Sequence, residues 1–319
     1  NPRSLYFSED AYVGYVPGGN IEVIVQDQAL GPVFYVIEPA KAGGLKIQRD
    51  RSSCLSCHAT GNTENVPGMH VRSVFSDQKG RPLFAMGTHL VNHETPLSQR
   101  WGSYYVTGRS SLPHLGNRTY SENGATEPQP SVLENLTPIL DVSKYLRPTS
   151  DIVALLVLEH QCRIHNLLNA ATLQYRRAAY LTRALNPHDD PDLGSAGRVA
   201  DGMAAQIVEC LFFKNEADPG EGVEGNEEFQ KQFEARYPRT HDGESLADFQ
   251  LRDRIFKRRC SFMIYSSAFT NLPARVKSAV IAKMQGALSG NDVAFAWMKA
   301  PERKRITAIL AETLPEWPH

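Results

Sequence analysis

Two cysteines and a histidine stand together in Cys54-Leu55-Ser56-Cys57-His58. A C-x-x-C-H run is the attachment sequence for a c-type haem. Each thiol adds across one porphyrin vinyl group, and the adjacent histidine is placed beneath the iron as its proximal ligand. Shuffling this composition would produce the pattern about 0.002 times per chain. A redox dithiol shares the two cysteines but belongs in a thioredoxin-like unit, and no such unit surrounds this one. Half of a zinc site would need a second pair of ligands. His89 and His93 have an H-x₃-H spacing, yet they fall on a strand end and a turn. The expected cofactor is therefore one covalent haem c, bound by Cys54 and Cys57, with His58 as metal ligand.

Iron in a c-type haem usually takes a methionine or histidine on its other face. The candidates are Met69, His70, Met86, His89 and His93, with His160 and His165 further along. His93 is the preferred second metal ligand. It lies in the turn Asn92-His93-Glu94-Thr95-Pro96 near Trp101, which is counted with it among the cofactor-binding residues. Met69, His70, His89, His160, His165 and an open position stay as alternatives. His160 and His165 are about 140° apart on a helix, so both cannot address one iron. Arg49 and Arg51 flank the motif, either paired with haem propionates or simply solvated. Glu159 and Arg163 have the spacing of a surface pair on one helix. Cys162, Cys210 and Cys260 fall in separate helical patterns and read as small buried hydrophobes. One disulfide among the three is the alternative.

These residues need elements to position them. Residues 1–120 read as strand, loop and turn. Ile21–Val25 and Val33–Ile37 are β-branched and aromatic runs separated by Gly31-Pro32. Val71–Phe75 and Pro82–Met86 flank a turn at 76–80 and predict a hairpin. Gly102–Thr107 reads as a strand preceded by a short helix over Glu94–Trp101. Residues 121–148 form a polar, proline-rich linker. From 149 onward the pattern is helical, with spans near 151–184, 195–213, 227–237, 245–269, 274–288 and 301–313. The expected fold class is α+β: a β-rich, haem-bearing region over 1–120 packed on an all-helical region over 149–319.

The chain has 319 residues, with 34 basic and 35 acidic side chains balanced in both halves. No basic excess marks a nucleic-acid surface. The longest apolar run, Ile152–Leu158, is too short to span a bilayer. Mean hydropathy is −0.36. The chain begins at Asn1 without an initiator methionine and shows no signal peptide, which reads as trimming. Covalent haem attachment takes place outside the bacterial cytoplasmic membrane, so a periplasmic location is expected.

Several segments resemble a group of large exported monohaem cytochrome c domain proteins of environmental bacteria. They are Ser53–His58, Val66–Met69, Arg72–Phe75, Pro96–Gly102 and Tyr105–Gly108, together with Leu158–Gln161, His165-Asn166 and Cys260–Tyr265. The resemblance implies a haem cofactor and export, and it adds weight to His93 and the Glu159–His165 helix as haem surroundings. It implies no reaction, because the group has no assigned activity. In it, the place of His70 is taken by an apolar residue. Three functions fit these readings. The first is electron transfer with a redox partner protein. The second is a haem enzyme acting on peroxide or a small nitrogen or oxygen species, using Glu159, His160 or His165 as acid or base. The third is a PAS-like haem sensor built on the hairpin at 71–86.

Overall fold

A computed structural model describes the chain except for residues 1, 41–42, 122, 124–125, 128–131 and 319. Five consecutive strands form an antiparallel meander: β1 Ser4–Phe7, β2 Ala11–Tyr15, β3 Ile21–Asp27, β4 Gly31–Pro39 and β5 Leu45–Asp50. Paired residues share a face, so Tyr12, Ile24, Phe34 and Asp50 lie in one row across the sheet. Tyr12 and Phe34 on this face are buried. The sheet leads into the four-residue helix α1, Leu55–His58, which carries the C-x-x-C-H motif.

The expected hairpin forms with a different second strand. β6 (Val71–Val74) pairs with β7 (Thr88–Val91), while Phe84–Met86 make a tight 3-10 turn. Only a single bridge, Ser76 to Pro82, closes the shorter loop. Gly102–Thr107 is not a strand either. Trp101 and Ser103 take left-handed φ values of 67° and 69°, incompatible with extended pairing. The helix expected over 94–101 is a 3-10 turn at Leu97–Gln99. Small ladders follow: β8 (Arg109–Ser110), then β9 (Thr119–Tyr120) with β10 (Thr126–Glu127) inside the proposed linker.

The dominant element is α2, Ile152–Leu185, capped by the Asp151 carboxylate on the Ala154 N–H at 2.9 Å. Apart from Ala154 and Arg163, every residue from Ile152 to Ala171 is buried, because the sheet covers one side and helices the other. A helix buried all round is a core helix rather than an amphipathic surface one. It packs on α3 (Ser195–Leu211), and α3 on α6 (Ala274–Ser289). The C-terminal region is mainly helical rather than all-helical, since β11 (Val223–Glu224) pairs with β8. α4 (Glu227–Glu234), α5 (Ser267–Thr270) and α7 (Ala300–Thr313) complete it. The long helix expected over 245–269 is replaced by turns, with left-handed Leu251 and Asp253. Ion pairs Arg254–Glu302 (2.6 Å) and Arg258–Glu244 (2.8 Å) tie the segment down and override its helical propensity. One hydrophobic cluster runs from Tyr12 through α2 to Trp317.

Candidate functional site

Asp50 ends β5 and organises the attachment motif. Its Oδ1 accepts the N–H groups of Ser52 and Cys54, both at 3.0 Å, and its other oxygen accepts from the Ser53 hydroxyl. The Ser53 and Cys54 hydrogen bonds hold the Asp50 carboxyl below the usual carboxylate range. Cys54 and Cys57 are free thiols on one helical turn, Cys54 partly exposed and Cys57 exposed. His58 is held by a reciprocal clamp. Its ring Nδ1 donates to the Gly68 carbonyl at 2.9 Å, while the Gly68 N–H donates to the His58 carbonyl at 2.8 Å. A histidine that ligates metal through one nitrogen commonly fixes the other on a carbonyl, and this arrangement leaves Nε2 as the free donor atom. Phe34 lies against the His58 ring at 5.4 Å between centroids, and His70 lies nearly parallel to it at 4.9 Å.

His70 has a buried Nδ1 with no partner. Burial, helped by neighbouring His58 and Arg72, pulls its pKa down to about 4. Arg72 and Leu90 are paired across β6 and β7, and Arg72 is on the same face as His70. Leu90, its strand partner, is 43% exposed. The rings of Phe34 and His70 thus line His58, with Arg72 on the same face as His70.

The loop that carries His58 is fastened to α2. Asn166 accepts the Met69 N–H at 2.9 Å and donates to the Met69 carbonyl at 2.5 Å, as a neighbouring strand would. Gly68 sits against it, where a side-chain carbon would collide with Asn166 and come within 2.9 Å of Thr63 Cβ.

His93 is elsewhere. It is fully buried, and its ring meets His160 at 5.0 Å and Phe213 at 5.4 Å. Its Nδ1 lies 3.2 Å from His160 Nδ1 and 4.0 Å from Cys210 Sγ. Among the described residues no hydrogen bond or ring contact joins His93 to His58. His160 precedes Asn166 by six residues, about 9 Å along α2 and about 240° around it, so the two histidine groups lie on different sides of the helix. Burial drives His93 down to about 3 and holds His160 well below the usual imidazole value, so both rings are neutral near pH 7.

Trp101 is likewise a core residue and does not touch the motif. Its indole Nε1–H donates to Glu159 Oε1 at 2.6 Å, and Arg100 Nη1 donates to Oε2 at 2.6 Å. All three side chains are inaccessible to solvent. Burial raises the Glu159 pKa against the opposing pull of Arg100 and Trp101. Glu159 therefore does not form the expected pair with Arg163, which binds Glu64 instead. His165 is also enclosed, with Nδ1 2.7 Å from the Tyr12 hydroxyl. The residues read as a distal acid or base are thus parts of the interior. Arg49 is exposed and stands on the sheet face opposite Phe34, beside Tyr35; Arg51 is exposed as well. Clefts of about 480 and about 410 Å³ lie along Thr107–Arg109 and along Leu5–Glu9, lined by residues other than the motif.

Cys162, Cys210 and Cys260 are all buried free thiols. Sequence reasoning did not place Cys210 or Ser261 beside the histidines, because pairings between residues 93, 160, 210 and 261 leave no local pattern. The Gly68 carbonyl was also unforeseen, although Pro67-Gly68 nine residues after the motif marks a turn that brings backbone close. No protein-family model, curated protein or solved structure matches the chain.

Proposed function

We propose that this is an exported c-type haem protein that transfers single electrons to a partner protein. Cys54 and Cys57 would hold the porphyrin through thioethers, and His58 Nε2 would ligate the iron. The supporting observation is the His58 Nδ1–Gly68 carbonyl bond of 2.9 Å, which fixes the ring and its tautomer with Nε2 available. When bound, the haem supplies a one-electron couple whose potential depends on its ligands and on burial. The chain's own residues set those conditions. Asp50 fixes the turn into Cys54, Asn166 immobilises Met69 beside the clamp, and Phe34 and His70 shield the imidazole from water.

Electron transfer is favoured over turnover of a small substrate because Glu159, His160 and His165 are inaccessible to solvent. The sensor reading has less support, since β6 pairs with Thr88–Val91 rather than with Pro82–Met86. Expression with haem-ligation machinery should give an intact mass raised by one haem. Cys54→Ser combined with Cys57→Ser should return the bare polypeptide mass, and His58→Ala should change the ferrous spectrum. His93→Ala should leave that spectrum unaltered. A bare polypeptide mass from the unsubstituted protein overturns the assignment.

A further inference from the structure

The group around His93 has a second chemistry of its own. One donor atom from each of His93, His160 and Cys210 lies within 4.8 Å of the other two. Bonds of about 2.0–2.3 Å from imidazole nitrogen and thiolate sulfur to a common ion would set those atoms about 3.3–3.8 Å apart. The observed separations of 3.2 Å (nitrogen to nitrogen) and 4.0 Å (nitrogen to sulfur) bracket that range. His160 Nε2 lies 2.7 Å from the Ser261 hydroxyl, which also accepts the Met263 N–H. With its proton on Nε2, His160 directs an Nδ1 lone pair inward, the arrangement of an imidazole oriented by an outer partner. His93 Nδ1 contacts both of the other donor atoms.

The surroundings choose among ions. Phe213 stacks on His160 at 4.1 Å and Phe262 meets it edge-on, so aromatic rings line the group. Three ligands comprising two neutral imidazoles and one thiolate carry a single negative charge. A monovalent copper ion would make the ensemble neutral, which a low-dielectric interior favours. Trigonal His₂Cys coordination is also the arrangement characteristic of copper electron-transfer centres.

We propose that His93 Nδ1, His160 Nδ1 and Cys210 Sγ form a buried copper site on a different side of α2 from the C-x-x-C-H motif. Binding displaces the thiol proton of Cys210 to solvent as the sulfur–copper bond forms. The proposal is independent of the haem reading.

The test is made on protein purified from copper-supplemented cultures, with copper counted by elemental analysis and native mass spectrometry. Oxidised samples are examined by electron paramagnetic resonance for a copper(II)–thiolate signal. The expected result is one copper per chain with that signal. Cys210→Ser should lower copper affinity more than 100-fold and abolish the signal, while Cys260→Ser, altering another buried thiol, should retain both. Circular dichroism and the unfolding midpoint confirm that each variant is folded. Copper that stays bound to folded Cys210→Ser overturns the proposal, as does unsubstituted protein that retains none. Zinc taken up in preference to copper from an equimolar mixture overturns the choice of ion.

Discussion

His165 illustrates how a single side chain links burial to acidity. The ring is enclosed, its only described hydrogen bond is the 2.7 Å contact with Tyr12, and its Nε2 has no partner. Burial lowers its pKa to about 3, against about 6.5 for an exposed imidazole. The folded chain then binds fewer protons here than the unfolded chain between those values. Stability from this residue is complete above pH 6.5 and is lost as pH falls toward 3, at about 1.4 kcal/mol per pH unit. Urea unfolding at pH 7 and pH 5 should therefore show a loss of stability that is smaller by roughly 2 kcal/mol in His165→Gln, the other buried histidines contributing the remainder in both proteins. Equal pH dependence in the two proteins would contradict the account. At this scale the C-x-x-C-H run is the most legible feature, because its five residues are consecutive. Glu159 was not legible: its spacing to Arg163 imitates a surface pair, whereas its real partners, Arg100 and Trp101, lie about sixty residues away.

At the scale of elements, helices with strong periodicity or clear termini were readable. α2, α3, α6 and α7 fall close to their expected spans. What failed was pairing and tertiary override. The pattern at 82–86 was apolar enough for a strand, but Gly87, at φ 94°, ends a tight turn and passes the pairing to Thr88–Val91. The arginine-rich stretch before Cys260 had helical composition, yet its charges are committed to Glu216, Glu244 and Glu302. The junction of α1 with α2 offers a direct check. Gly68→Ala forces a methyl group into Asn166 and Thr63, and overpacking of this kind costs about 1–3 kcal/mol. The variant should also broaden the His58 imidazole resonance in apo-protein NMR, since the Gly68 carbonyl is its anchor. An unchanged unfolding midpoint would show that the loop moves freely, contrary to the tight clamp.

Across the whole molecule, the two-part division suggested by composition corresponds to one continuous interior. The sheet contributes Tyr12 and Gln26 to α2, where they bond with His165 and Asn169. Gln161 reaches the Ser8 carbonyl at 2.7 Å, and β11 joins β8 across the boundary. A chain so interlocked should unfold in one cooperative transition, with coincident fluorescence and circular dichroism curves. Residues 1–148 expressed alone should give no sigmoidal transition, because the buried face of the sheet would lose its cover. A cooperative melt of that fragment would restore the two-domain description. The composition could not reveal this, since both a linker and a buried crossing can be polar.

The 2.6 Å hydrogen bond from Ser267 to Asp10 joins positions 257 apart in sequence. During synthesis the sheet therefore emerges long before its backing, and Tyr12 has no cover until α2 has left the ribosome. Edges and apolar faces left open for so long favour aggregation. A sheet kept waiting in this way is expected to fold only after α2 has emerged.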